Sequence, residues 1–155
     1  MKANKNGPSM VDITLKPPIQ REATAIGKIK LKGETISLIR NGEVEKGDPI
    51  TTAKVAGVLA AKNTSGIIPL CHPIPITSVK IMDEVLGDGV TFRVTVKTAA
   101  KTGVEMEALT AAAIALLTVW DMVKQYEKDE DGQYPSTVVT DIRVLQKVKG
   151  KREEK

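Results

Sequence analysis

The chain has 155 residues, which suits one domain with a substantial core. Hydrophobic residues at 41% and charged residues at 27% are typical of a globular protein. A net charge of +4 with only 3% aromatic residues argues against a nucleic-acid partner, because such proteins combine a basic face with stacking rings. An RNA-binding role therefore remains only a rival hypothesis.

The counts of cysteine and histidine limit the chemistry further. One cysteine excludes an internal disulfide framework and fits a reducing compartment, and one histidine excludes a histidine-rich metal site. No stretch reaches the roughly 18 uninterrupted apolar residues of a membrane span. We therefore expect a cytoplasmic protein with no membrane partner, no metal and no cofactor.

The ends of the chain and its first elements are predicted from polarity and alternation. We expect residues 1–9 and 149–155 to be flexible because both segments are polar. Residues 10–15 are expected to form a short extended segment. Partial alternation of apolar residues with lysines predicts a strand over residues 23–32.

Two helices are predicted next. Residues 33–42 favour a short helix that ends at Gly42, although Asn41-Gly42 is also typical of a hairpin turn, so both alternatives stay open. Asp48 followed by Pro49 combines an N-cap acid with a proline at the first helical position. This pair predicts a second helix, which ends near residues 63–66.

A proline-rich loop and a pair of strands come after these helices. Three prolines within residues 67–75 exclude a helix interior or a central strand. Strands are predicted over residues 77–86 and 90–98, and the second alternates as a strand does when one face is buried. With a last strand over residues 138–148, the order of elements predicts one α+β domain across residues 1–155, with helices on one face of an antiparallel sheet.

The stretch from Lys101 to Lys124 is the most strongly helical part of the sequence. Thr102 and Glu105 have the spacing of a capping box, in which each side chain bonds the other residue's amide. The middle is apolar nearly all round, which predicts a buried helix. Charged residues at both ends are therefore either caps or functional groups.

Two carboxylates at the start of this helix are candidate functional residues. Glu105 and Glu107 point about 200° apart on a helix and cannot act as a facing pair. Glu105 is explained equally well as a capping acid, whereas Glu107 has no capping role. Glu107 is the better candidate for this reason.

Asp121 and Lys124 are spaced to form an ion pair near the end of the helix. If the pair is exposed it contributes less than about 1 kcal/mol. If it is partly desolvated, its pKa values shift and the lysine could act as a general acid or a phosphate clamp. Lys46 precedes the start of the second helix, where free amides favour anions.

The length of the helix constrains how these residues can cooperate. Glu107 and Asp121 are 14 residues apart, which is about 21 Å along the axis. A nucleotide-sized substrate spans only about half of that distance. If both residues serve one site, they come from different copies of the chain, which predicts a symmetric oligomer.

Cys71 and His72 lie within the proline-rich loop. Proline restricts the unfolded chain, so the loop can hold these side chains in place at little entropic cost. His72 could then donate a hydrogen bond or carry a proton, and the alternative is a satisfied histidine in a buried turn. Cys71 has no second histidine to activate it as a nucleophile.

Several long blocks in the chain closely resemble one known family. The blocks are MVDIT, EKGDPITTAKVAG, AGVLAAKNTSGIIPLCHPIPIT and GVEMEALTAAAIALLTVWDM, in unbroken order from Met10 to Lys128. They resemble the cyclic pyranopterin monophosphate synthase family, the molybdenum cofactor biosynthesis protein C. Ser9 stands where the family usually has a histidine, and the loop from Asp129 to Thr140 is longer than in the family pattern.

The resemblance implies a fold, an assembly and a reaction. The fold is a ferredoxin-like α+β domain, assembled as a hexamer of three dimers with sites at the dimer interface. The reaction converts 3′,8-cyclised dihydro-GTP to cyclic pyranopterin monophosphate and releases pyrophosphate.

The implied catalytic residues are Asp121, Lys124 and Lys46. The implied substrate contacts are Leu70, Cys71, His72, Met106 and Glu107, with Glu105 and Arg21 at further positions that the family uses. The alternative is a pterin- or nucleotide-binding module without turnover.

Overall fold

The computed structural model describes residues 6–150, so the flexibility expected for residues 1–5 and 151–155 lies outside the described residues. Four strands and four helices form the domain. In chain order they are β1 (Ile19–Lys30), α1 (Gly33–Asn41), α2 (Pro49–Lys62), α3 (Thr64–Ile67), β2 (Ile76–Leu86), β3 (Gly89–Ala100), α4 (Glu105–Glu127) and β4 (Val138–Lys149).

The four strands make one antiparallel sheet in the order β2-β3-β1-β4. β1 and β3 lie in the middle and pair without interruption from Ile19 opposite Ala100 to Lys30 opposite Gly89. The pairing of β1 with β4 shifts register on both sides of Ile26, so β4 carries an irregularity there. Asp141 adopts a positive φ of 57° at this point.

Apolar and polar residues alternate along the central strands, which places the apolar side chains on one face of the sheet. Val90, Phe92, Val94 and Val96 of β3 are fully buried, and the residues between them are more exposed. These valines share two core clusters with residues of α4, and α1 and α2 add residues to the same clusters. The helices therefore cover one face of the sheet, as expected for an α+β ferredoxin-like domain.

Helix α4 packs on the sheet through small side chains. Ala108, Ala111, Ala112 and Ala115 are each 0% exposed. By length and composition alone, α4 would also suit a membrane span, but half of that window is buried inside the fold. Its apolar sequence is explained by its position as the central helix of the core.

Most predicted elements are confirmed with small changes of boundary. The helix alternative is the correct one for residues 33–42, because Gly42 adopts the left-handed conformation that ends α1. Asp48 caps α2 as predicted, since its carboxylate accepts from the amides of Ile50 and Thr51. β1 begins at Ile19, four residues earlier than expected.

Two local predictions are wrong. The capping box does not form, because α4 begins at Glu105 with Val104 as its N-cap and no side chain caps it. Glu105 instead pairs with Lys147 of β4, which approaches from elsewhere in the sheet. The segment of residues 10–15 is not extended throughout, because Asp12 accepts from Thr14 and the chain turns at residues 14–15.

A buried carboxylate connects three parts of the fold. Glu127, at the end of α4, is 0% exposed. Its oxygens accept from the amide of Lys32 at 3.2 Å and from the hydroxyl of Thr35, both at the start of α1. They also accept from the hydroxyl of Thr137 at 2.8 Å, just before β4. These donors replace water, which makes the burial of this acid tolerable.

Gly57 offers a test of how closely the two long helices approach each other. A Cβ at Gly57 would lie 2.6 Å from Ile81 Cδ1 and 3.2 Å from the carbonyl oxygen of Ala111. Alanine normally stabilises a helix interior by about 1 kcal/mol over glycine. Because the Ala111 oxygen belongs to the backbone of α4 and cannot move away, we expect Gly57→Ala to destabilise by about 1–2 kcal/mol and lower Tm by several degrees.

The matched control is Gly66→Ala, since a Cβ there meets nothing within 4 Å. Thermal unfolding followed by circular dichroism gives the Tm of each variant. A Gly57→Ala protein that unfolds at or above the temperature of the parent would contradict the close contact of α2 with α4.

Candidate active site

A cluster of three charged side chains forms near the end of α4. Lys124 Nζ lies 3.0 Å from Asp121 Oδ1, and Lys46 Nζ lies 3.6 Å from Asp121 Oδ2. The Lys46 ammonium also donates to the backbone carbonyl of Asp121 at 3.0 Å. We call these three residues the lysine–aspartate cluster. The structure thus brings together the three residues predicted to be catalytic.

The two lysines stabilise the ionised form of the aspartate. The hydrogen bond from Lys124, its charge and the charge of Lys46 hold the pKa of Asp121 below its ordinary value. The same hydrogen bond raises the pKa of Lys124. Desolvation acts against both shifts, so they come from the pairing of the charges and not from burial. At neutral pH the cluster carries two cations and one anion.

Lys46 reaches the cluster because its loop is attached to α4. The loop connects α1 and α2, and the amide of Glu45 donates to the hydroxyl of Tyr126 at 3.0 Å. The side chain of Gln125 donates to Glu45 Oε2, also at 3.0 Å. These two hydrogen bonds fix the residue next to Lys46. The sequence did not indicate Tyr126 or Gln125, since their partner Glu45 lies 81 and 80 residues away from them in the chain.

Two members of the lysine–aspartate cluster, Asp121 and Lys124, border a cavity of about 370 Å³. Leu117, Trp120 and Tyr134 line it together with Asp121 and Lys124. Trp120 and Tyr134 were not among the predicted site residues. The chain has one tryptophan and two tyrosines, so the scarcity of aromatic residues was the one signal that could have drawn attention to them.

A second group of predicted residues lies at the other end of α4. Burial raises the pKa of Glu107, whose side chain is 3% exposed, and the charge of Glu105 raises it further. Burial also raises the pKa of the Cys71 thiol, and so does the charge of Glu107. The proline-rich loop therefore places Cys71 near Glu107, and the thiol remains protonated, which does not favour a nucleophile.

The other predicted substrate contacts lie in the loop, at Leu70 and His72, and at the start of α4, at Met106. Leu70 and Met106 are 44% and 39% exposed, which leaves both available for contact with a ligand or another chain. His72 Nε2 lies 2.8 Å from the carbonyl oxygen of Val11 and so holds the N-terminal segment. A nitrogen engaged in this way acts as a donor to the carbonyl, which leaves only the other ring nitrogen for a ligand.

Glu105 and Arg21 make structural contacts at this end of the helix. Glu105 Oε1 lies 3.0 Å from Lys147 Nζ. Partial burial acts to raise the pKa of Glu105, but its own amide, Lys147 and Arg21 outweigh burial and lower it. The guanidinium of Arg21 donates to the carbonyls of Ala100 and Lys101. Both residues brace the start of α4.

The two groups of residues do not meet within one chain. α4 runs without a break from Glu105 to Glu127, so Glu107 and Asp121 are about 21 Å apart along its axis. The functional roles of all these residues stay predictions. Within residues 6–150, no three His, Cys, Asp or Glu side chains are grouped so that they could hold a metal ion.

The chain is similar to a well-populated group of proteins. A model of the MoaC family matches residues 10–150. Over 145 residues the chain is 59% identical to an Aeropyrum pernix protein named probable cyclic pyranopterin monophosphate synthase, covering 94% of this chain and 99% of that protein. A Sulfolobus acidocaldarius protein of the same name is 56% identical over 140 residues, covering 90% and 98%.

A third relative carries a different name. The Methanothermobacter thermautotrophicus protein named probable cyclic pyranopterin monophosphate synthase accessory protein is 51% identical over 146 residues. The alignment covers 94% of this chain and 92% of that protein. The similarity to all three relatives extends over nearly the whole chain.

The raised pKa of Glu107 predicts how stability depends on pH. A carboxyl group whose pKa is higher in the folded state favours folding when protonated, and this contribution is lost as pH rises from the unfolded value of 4.5 through the folded pKa. We expect Glu107→Gln to match the parent in stability below about pH 4.5 and to exceed it near pH 7.

Denaturant unfolding of both proteins across pH 4–8 measures the difference. Glu84→Gln, at an exposed position of β2, is the control and should show no such divergence. A constant difference between Glu107→Gln and the parent over the whole range would show that burial does not raise the pKa of Glu107.

Proposed function

Because the chain belongs to the MoaC family, we propose that it is a cyclic pyranopterin monophosphate synthase of molybdenum cofactor biosynthesis. It converts 3′,8-cyclised dihydro-GTP to cyclic pyranopterin monophosphate and releases pyrophosphate, so it is a phosphorus–oxygen lyase. The observation that carries the proposal is the lysine–aspartate cluster, which holds two ammonium groups around one ionised carboxylate beside a cavity.

The chemistry of the reaction calls for this combination of charges. A triphosphate becomes a cyclic monophosphate when a hydroxyl of the substrate attacks the α-phosphorus, and the bond to pyrophosphate breaks. The hydroxyl loses a proton, and negative charge accumulates on the departing pyrophosphate. Fixed cations next to the developing charge lower the barrier, and a carboxylate can accept the proton or orient the donor.

The pKa shifts of Asp121 and Lys124 support a distinct role for each of these two residues. The lowered pKa of Asp121 keeps it ionised, so it acts as a proton acceptor or an orienting charge. The raised pKa of Lys124 keeps it protonated, so it acts as a cation for phosphate and not as a base. Lys46, at the approach to the start of α2, supplies the second cation.

Replacing Asp121 tests the proposal. Asp121→Asn keeps the shape of the side chain but removes the charge between Lys46 and Lys124. We expect pyrophosphate release from the cyclised substrate to fall by about 10²–10³-fold, as when one preorganised polar group is lost from an active site. Glu84→Gln, which alters an exposed acid on β2, should keep full activity.

Full turnover by Asp121→Asn would remove Asp121 from the mechanism. Lack of turnover by the parent protein, with the substrate bound, would instead support the second candidate function. In that case the protein binds a pterin or nucleotide without converting it, for which the accessory name of the Methanothermobacter relative is the specific support.

We further propose that the protein forms a hexamer of three dimers with active sites at the dimer interface. The separation of Glu107 from Asp121 supports this assembly, because neither end of α4 alone holds all the predicted residues. Exposed apolar residues on the outer faces of α2 and α4 also support it, since Val55, Leu59 and Leu117 are each more than half exposed. We propose that this assembly acts in the cytoplasm.

Mixing two inactive variants tests whether the site is shared. In a dimer of one Glu107→Ala chain and one Asp121→Asn chain, one shared site has both mutations and the other has neither. Random mixing of equal amounts after unfolding and refolding should therefore restore roughly a quarter of the parent activity. If each site belongs to one chain, the mixture stays as inactive as its components.

A further inference from the structure

The cavity beside the lysine–aspartate cluster has one charged side and one aromatic side. Leu117, Trp120, Asp121 and Lys124 follow the spacing that places side chains on one face of a helix. Tyr134, from the loop between α4 and β4, completes the lining. The cavity is largely open to solvent, and its volume of about 370 Å³ lies at the lower end of the range for small-molecule sites. A ligand that filled it would contact rings and charges together.

The structure of the loop determines the position of Tyr134. Asp129 Oδ1 accepts from the amides of Asp131 at 3.0 Å and Gln133 at 2.8 Å. The amide of Asp129 donates to the carbonyl of Gln133 at 2.9 Å, which closes the turn. At its far end the loop is held by Thr137, which donates to the buried Glu127. Tyr134 therefore lies between two anchored points of the loop, the turn at residues 129–133 and Thr137.

Tyr134 is held against Trp120 by ring contact. The two ring centroids are 5.2 Å apart and the planes meet at 69°, which is a favourable edge-to-face geometry. Lys128 Nζ lies 6.0 Å from the Tyr134 centroid and adds a cation over the ring. The pair forms a corner whose surfaces border the same cavity as Asp121 and Lys124.

We propose that Trp120 and Tyr134 form the specificity wall of the site, which contacts the fused ring system of the substrate while Lys46 and Lys124 bind its phosphates. This inference rests on the proposed function, which requires a substrate with both a guanine-derived ring and a phosphate chain. Aromatic side chains offer flat apolar surface to such a ring, and ammonium groups cannot do so. Asp121 then lies between the ring and the phosphates.

The test compares a ligand that has a ring with one that lacks it. GTP is a stable probe with a purine and a triphosphate, and inorganic triphosphate presents the phosphate chain alone. Trp120 is the single tryptophan of the chain, so a change in intrinsic fluorescence on adding GTP reports directly on the wall. Isothermal titration calorimetry on the full oligomer then gives the affinity of each variant for each probe.

Three variants separate the ring contact from the phosphate contact. Tyr134→Ala should weaken GTP binding by roughly 5- to 150-fold, the range for loss of one aromatic contact to a base, and leave triphosphate affinity within about twofold of the parent. Tyr134→Phe keeps the ring and should retain GTP affinity. Lys124→Ala should weaken both probes.

Three other results would contradict the proposed contact of Trp120 and Tyr134 with the substrate ring. If Tyr134 only packs on Trp120, Tyr134→Ala lowers Tm but leaves GTP affinity unchanged, and the proposal is overturned. Equal weakening of GTP and triphosphate, or no response of Trp120 fluorescence to GTP, overturns it as well. Turnover of the cyclised substrate by the parent tests the proposed function separately, so the two ideas can fail independently.

Discussion

The close approach of α4 to the sheet is the constraint on which the rest of the structure depends. Four buried alanines, Ala108, Ala111, Ala112 and Ala115, let the helix backbone come near β1 and β3. Gly57 allows α2 to pack against the same helix. Larger side chains would push these elements apart, since cores are packed without spare volume. The position of α4 in turn sets where both groups of candidate site residues lie.

The two buried glutamates of α4 differ in their surroundings, which indicates a structural role for one and a functional role for the other. Glu127 accepts from the amide of Lys32 and the hydroxyl of Thr35 at the start of α1, and from the hydroxyl of Thr137 before β4, so donors from two segments satisfy its oxygens. Glu107 is almost as buried, but within residues 6–150 no lysine or arginine forms an ion pair with it, and burial raises its pKa. Burial that raises the pKa of an acid is more typical of a functional group than of a structural one, which makes Glu107 the stronger functional candidate.

The proposed activity combines exposed charges with an adjoining, partly apolar depression of the surface. Lys46, Asp121 and Lys124 pair with one another while remaining accessible, so a phosphate chain can replace water around them without breaking the core. The apolar side of the adjoining cavity gives a fused ring a place to lie. Family membership supports the proposed reaction, and the distance between Glu107 and Asp121 along α4 supports the proposal of a site shared between chains.

Much of the fold follows from the sequence alone, because its signals are local. Alternation predicted β3 with the correct buried face, and Asp48 with Pro49 predicted the start of α2. The four sequence blocks likewise predicted the family. Other features arise only when distant segments meet. Lys147 of β4 forms an ion pair with Glu105, which does not join the expected capping box. The hydrogen bond from Glu45 to Tyr126 places the neighbouring Lys46 beside Asp121. The corner of Trp120 and Tyr134 exists for the same reason, because tertiary contacts, not neighbours in sequence, determine which side chains share a site.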